Sequence, residues 1–157
     1  MCDFFSAIVD DEGKVYWKNG INSHSELEKE FSLRDSGHYA KVELNPVKFN
    51  DVSTWNFKID EERAPDWWDG AYEDNVRQTV RDWMNSGIGY IWSGSLYLRD
   101  CDLEGVTLPQ FMSGSLDING CDLEGVTLPQ SVGGWLDING CKNIPEKLPK
   151  VTMKIFR

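Results

Sequence analysis

Positive charge is in short supply in this chain: 16 Lys and Arg stand against 26 Asp and Glu, for a net charge of −10. Nonspecific binding to nucleic acid or to an anionic membrane needs a positive face, so the composition argues against both. Glycine-rich phosphate loops, Ser-His-Asp arrangements and basic nucleic-acid motifs are missing as well. Met1-Cys2-Asp3-Phe4-Phe5 lacks a basic region followed by an apolar run, and no later stretch has the length to span a bilayer. A cytoplasmic protein is expected. There are four cysteines and no CxxC pair. Cys101, Cys121 and Cys141 recur at one phase, which predicts free thiols in a reducing compartment. A column presents thiolates in parallel, whereas a tetrahedral site needs converging ligands, so neither a metal nor a cofactor is expected.

What the chain does have is repetition. The stretch from Cys101 to Gln110 returns 20 residues later as Cys121 to Gln130, and a decayed third copy runs from Leu136 through Cys141 to Pro149. Such a period marks a solenoid, because one coil cannot bury its own apolar side and must stack on a neighbour. Residues at one phase then form columns. The interior columns predicted are Leu96/Leu116/Leu136, Leu98/Ile118/Ile138, Cys101/Cys121/Cys141 and Leu108/Leu128/Leu148. The outward columns are Tyr97/Asp117/Asp137, Arg99/Asn119/Asn139 and Ser95/Ser115/Trp135, and a binding surface on the repeats is expected there.

Ahead of the repeats, 40% hydrophobic residues and seven Trp in the whole chain provide for a packed core. Phe4 to Val9 and Lys14 to Lys18, joined by Asp10-Asp11-Glu12-Gly13, read as a hairpin. Ser23-His24-Ser25-Glu26 is a capping-box pattern for a short helix ending near Leu33, with Leu27 and Phe31 on one face. His38 to Leu44 and Trp55 to Asp60 alternate as strands. A helix beginning at Pro65-Asp66 carries Trp68, Tyr72, Val76, Val80 and Trp83 along one stripe, with Gly87 just past its end. The expected architecture is α+β: a ββαββα domain over 1–87, then a three-coil solenoid over 88–157 with a C-terminal cap strand. The domain's edge is expected to cap the solenoid's open end.

The unit Leu96-Tyr97-Leu98-Arg99-Asp100-Cys101-Asp102-Leu103 resembles the leucine-rich-repeat consensus, which implies a short strand with two inward apolar residues and a turn closed by Cys. The Leu-Pro ending is similar to compact bacterial repeats of type III effectors and phage genomes. Leu128-Pro129-Gln130-Ser131-Val132-Gly133-Gly134-Trp135-Leu136 in particular looks like a phage and prophage repeat. Met1-Cys2-Asp3-Phe4, Ser23-His24, Asp60 and Pro65-Asp66-Trp67 resemble an uncharacterised module found in phage-type proteins ahead of repeat tails.

Two surfaces stand out as candidates for binding. Acidic residues concentrate before Tyr90, with 18 Asp and Glu against 10 Lys and Arg, and Asp66, Asp69 and Glu73 cluster there beside Trp67, which lies off the helix stripe. Such a surface serves solubility or docks a partner protein that is basic or nucleic-acid-binding. Tyr97, Asp117, Trp135 and Asp137 form the second candidate, on the repeat face. Trp67-Trp68 with Trp17, Trp55 and Trp83 frame either an aromatic ligand pocket or the packing of helix on sheet. Cys2, exposed by removal of Met1, superficially looks like the nucleophile of N-terminal-cysteine hydrolases, with His24 as base, although Asp3-Phe4 replaces the Gly-Ile of the amidotransferases. The expected function is non-enzymatic protein binding by a phage-derived accessory protein, such as an anti-CRISPR-like inhibitor of a host defence. A Cys2 hydrolase and a structural phage component are the alternatives.

Overall fold

The computed structural model of the chain describes residues 4–34, 37–60, 64–86 and 91–157. The fold is mixed α/β, with few helices and a C-terminal β-solenoid of about 3 turns. Alternation of apolar and polar residues produces an antiparallel sheet from β1 (Phe5–Asp10), β2 (Val15–Tyr16), β3 (Tyr39–Asn45) and β4 (Asn56–Ile59), in the order β2-β1-β3-β4. Helix α1 (His24–Glu30) lies between β2 and β3 in the chain, and α2 (Gly70–Asn85) follows β4. One sheet face carries Phe5, Ala7, Val9, Val42 and Leu44, which form a core with Val76, Val80 and Trp83 of α2. The opposite face carries Ser6, Ile8 and Glu43, against which α1 brings His24 and Leu27.

Both helices start differently from the sequence expectation. Ser23 caps α1 without a capping box: its hydroxyl pairs with Ser25 Oγ at 2.9 Å and makes no bond to the helix backbone. The helix stops at Glu30 rather than near Leu33. α2 begins at Gly70 because Pro65 to Trp68 close a separate turn, Trp68 N donating to Pro65 O at 2.9 Å. Asp69 is then the cap, its Oδ1 accepting from Ala71 N at 2.6 Å. The expected Gly87 stop lies outside the described residues.

The tail carries two short strands per coil. β5 (Ile91–Trp92), β7 (Phe111–Met112), β9 (Ser131–Val132) and β11 (Lys150–Val151) form one parallel ladder. β6 (Leu96–Tyr97), β8 (Leu116–Asp117), β10 (Leu136–Asp137) and β12 (Ile155–Phe156) form another. Parallel bridges Lys48↔Asp102, Thr107↔Thr127 and Asp122↔Lys142 add two further sides, so the first two coils are four-sided. Leu96, Leu98, Cys101, Leu108, Leu116, Ile118, Cys121, Leu136 and Ile138 are all buried, as the column argument requires. Leu128, Cys141 and Leu148 are half-buried. Leu103 and Leu123 add a buried column that the sequence reading omitted.

Corners are tight where glycine permits. A Cβ on Gly114 would overlap the Gly94 backbone of the coil before it. Gly105 and Gly125 turn their corners at φ 68° and 70°. Pro145 holds the matching place in the third copy, but its ring fixes a negative φ. The left-handed residue there is instead Asn143, at φ 50°. From this coil onward the register slips by one: Ser131 pairs with Lys150 and Leu136 with Ile155.

The first coil does not meet an empty end. Segment 47–50 lies against it like a preceding coil, with Asp102 N donating to Val47 O at 2.9 Å and Phe49 N donating to Asp102 O at 3.0 Å. The cysteine thiols show the same equivalence. Cys121 Sγ donates to Leu98 O at 2.9 Å and Cys141 Sγ to Ile118 O at 3.0 Å, each one coil back. For Cys101 the acceptor is Val47 O, at 3.5 Å. Phe49, Trp55, Trp83 and Trp92 are buried around this junction, and one apolar core runs from Phe5 to Ile138.

Candidate binding surface

The second parallel ladder sets Tyr97, Asp117, Asp137 and Phe156 in register, one per rung. Alternation along each strand turns these side chains away from the buried leucines beside them. Trp135 projects next to this column. Its ring lies 6.3 Å from that of Tyr97, although the two stand on the third and first coils, and meets Phe156 edge-on at 6.0 Å. Lys154 Nζ sits 4.6 Å over the Phe156 ring. These contacts make an aromatic stripe along one side of the solenoid, with Tyr97 45% and Phe156 37% exposed.

Rings that reach from the first coil to the third roof the second. Asp117 and Ser115, expected to face outward, are buried beneath them, and Asp117 retains 0% of its surface. Its carboxylate survives there because Oδ2 accepts from Arg99 Nε at 2.6 Å and pairs with Nη2 at 2.5 Å, while Oδ1 accepts from Asn119 N at 3.2 Å. Arg99 remains exposed, and the carboxylate beside it pushes the guanidinium pKa further up. Asp137 is half-buried, its Oδ1 accepting from Asn139 N at 3.0 Å and from Asn139 Nδ2 at 2.6 Å. Tyr97, Trp135 and Asp137 therefore share a surface, and Asp117 is its support. Phe156 completes the stripe but falls 19 residues after Asp137, out of step with the period that revealed the other columns.

Tyr97 also stands at the rim of a cleft of about 300 Å³, between the turn around Asn19-Gly20, β1 and the first coil. Phe4, Trp83 and Trp92 line its apolar side, and Ser93 and Ser95 its polar side. Gly20, at φ 83°, lets the turn approach the Ser93 carbonyl more closely than a side chain would allow.

The acidic flank of α2 is largely engaged in structure. Asp69 is the helix cap, and Glu73 Oε1 accepts from Arg77 Nε at 2.8 Å. Arg77 in turn donates to Val52 O at 2.6 Å and Trp55 O at 3.0 Å. Asp66 is exposed. Trp67 is half-buried, its indole N–H donating to Gly37 O at 2.7 Å and its ring 5.4 Å from that of Tyr72. Trp55 and Trp83 are buried in the core, and Trp17 packs on Trp83 at 5.6 Å.

Cys2 lies outside the described residues. His24 is buried at 5% exposure, its Nε2 bonded to Val42 O at 3.1 Å and its Nδ1 3.5 Å from Asp60 Oδ2. The repeat thiols are free. Burial pushes Cys101 up to about 12 and Cys121 up to about 11, and raises Cys141 as well, so all three stay protonated near neutrality. Among the described residues no helix is long and apolar enough to cross a membrane. No protein-family model, curated protein or solved structure matches the chain.

Proposed function

We propose that this is a binding protein with no catalysis of its own, and that it holds a partner protein against the aromatic stripe of its solenoid. The observation that carries the reading is the exposure of Tyr97 and Phe156 on either side of Trp135. Aromatic side chains on a rigid ladder contribute large contact area at small entropic cost, which suits interface anchors. The net charge of −10 favours a basic partner, a nucleic-acid-binding protein included, whose channel the acidic surface occupies. The phage-like character of the repeat supports a phage-derived accessory role in the host cytoplasm, of which an anti-CRISPR-like inhibitor of host defence is one form. Part of the same proposal is that 1–87 form a ββαββα module and that the tail uses a leucine-rich-like unit.

Quantitative capture of partners from a bacterial lysate tests this, comparing the natural chain with a Tyr97→Ala, Phe156→Ala variant. The expected result is a specific partner, crosslinked to the stripe and lost in the variant. Equal capture by both chains would rule the stripe out. For the charge argument, Asp66→Asn probes the exposed acidic residue ahead of α2 and is expected to weaken capture; Asp69 caps the helix and Glu73 pairs with Arg77, so changing either alters the helix itself.

A further inference from the structure

The α1 face of the sheet contains a polar cluster that the binding reading does not use. His24 from α1, Glu43 from β3 and Asp60 just after β4 each bring a ligand-type atom to within 4.8 Å of the others. They are far apart in sequence, and the sheet's register brings them together. Glu43 is opposite Ser6 of β1 and Lys58 of β4, and is only 4% exposed. Asp60, at the solvent edge, is held by its own N–H donating to Lys41 O at 2.8 Å.

The orientation of His24 gives the cluster its chemistry. A carbonyl oxygen only accepts, so the Nε2 beside Val42 O donates to it, which leaves Nδ1, on the Asp60 side, as the nitrogen able to offer a lone pair to a metal ion. A ring N–H tied to a backbone carbonyl is the usual support of a metal-binding imidazole, since it fixes both tautomer and ring orientation. Nδ1 and Asp60 Oδ2 are 3.5 Å apart. Two ligands each about 2.1 Å from a tetrahedral zinc are separated by about 3.4 Å, so this edge of a coordination polyhedron is already set. The Glu43 and Asp60 carboxylates bring one oxygen each within 4.8 Å of the other and of the imidazole nitrogen. We propose that His24, Glu43 and Asp60 form a site for a divalent transition-metal ion of the zinc class, bound through one imidazole nitrogen and two carboxylate oxygens. The ion fastens the start of α1 to β3 and β4, and the exposed side of Asp60 leaves room for water as a further ligand. Lys58 Nζ, 3.8 Å from Glu43 Oε2 and 3.5 Å from Asp60 Oδ1, is a cation beside both carboxylates that the metal displaces. Its side chain is largely exposed and free to swing away.

Titration of the purified chain with Co(II), followed by visible absorption and by competition with Zn(II), tests the site. The expected outcome is uptake of one equivalent with ligand-field bands and no thiolate-to-cobalt charge transfer, weakened by about tenfold or more in Asp60→Asn. Asp60 lies at the solvent edge, so this variant keeps the fold, which circular dichroism verifies. Glu43→Gln, nearly isosteric, serves as the second variant and is expected to weaken uptake likewise. Three results overturn the proposal: no uptake at millimolar Co(II), affinity unchanged in both variants, or charge-transfer bands that assign the ion to the cysteines.

Discussion

At the scale of single residues, Asp117 shows how much of a side chain's role is decided by its neighbours. In sequence it is one of three equivalent positions, Tyr97, Asp117 and Asp137, yet it alone lies under the rings of Tyr97 and Trp135 and needs Arg99 as counter-ion. Removing the guanidinium leaves a buried carboxylate without its charge partner, which is worse than losing both. Arg99→Ala should therefore lower the thermal midpoint, and adding Asp117→Asn should restore much of it; additive losses in that double-mutant cycle would contradict the assignment. The thiols give a second residue-scale prediction. Their folded-state pKa values lie above the ordinary 9.0, so above that pH the unfolded chain loses protons first. Stability contributed by the protonated thiols is complete below pH 9 and should be lost as pH rises toward about 11 to 12. Urea midpoints measured along this range check it, with Cys121→Ala expected to flatten the decline.

At the scale of elements, the 20-residue period made the coils legible because stacking forces residues of one phase into a common environment. Single-coil exceptions were not legible. The third corner departs from the pattern, since Pro145 stands where Gly105 and Gly125 take a positive φ and Asn143 takes the left-handed turn instead, and the pairing beyond it is one residue short. The glycine corners allow a paired prediction. Gly105→Ala meets open space and suffers only backbone strain, about 1 kcal/mol. Gly114→Ala drives a methyl into the Gly94 backbone and should cost about 2 kcal/mol or more by pushing two coils apart. Denaturant unfolding of the two variants decides the order, and the reverse order would mean that the coils are not packed as described. In the first part of the chain, the alternating strands and the α2 stripe were readable from periodicity, whereas the helix starts were not. A Ser-x-x-Glu pattern and a Pro-Asp pair mark candidate caps, but whether a hydroxyl or carboxylate reaches the backbone depends on how the preceding turn runs.

At the scale of the whole molecule, segment 47–50 converts two sequence regions into one packed body by standing in for a missing coil. Phe49 sits in that junction at 3% exposure. Phe49→Ala should cost about 3 kcal/mol and destabilise both regions together. Helical circular dichroism, carried by α1 and α2 of the first part, and Cys121 thiol accessibility, sensitive to the second, should report one coincident transition; separate midpoints would show that the junction does not couple them. The sequence by itself determined that a tail of stacked coils exists and most of the columns of Leu, Ile and Cys that fill it, the Leu103/Leu123 column excepted, because repetition and burial are linked one coil to the next. It also determined which strands alternate, since a period of two assigns sides without reference to anything distant. Only the tertiary structure decided that Asp117 is roofed over, that Phe156 joins Tyr97 and Trp135, that residues 47–50 act as a coil, and that His24, Glu43 and Asp60 meet. Each of these depends on contacts between residues at unrelated phases or in separate elements, and no local pattern carries the distance between them.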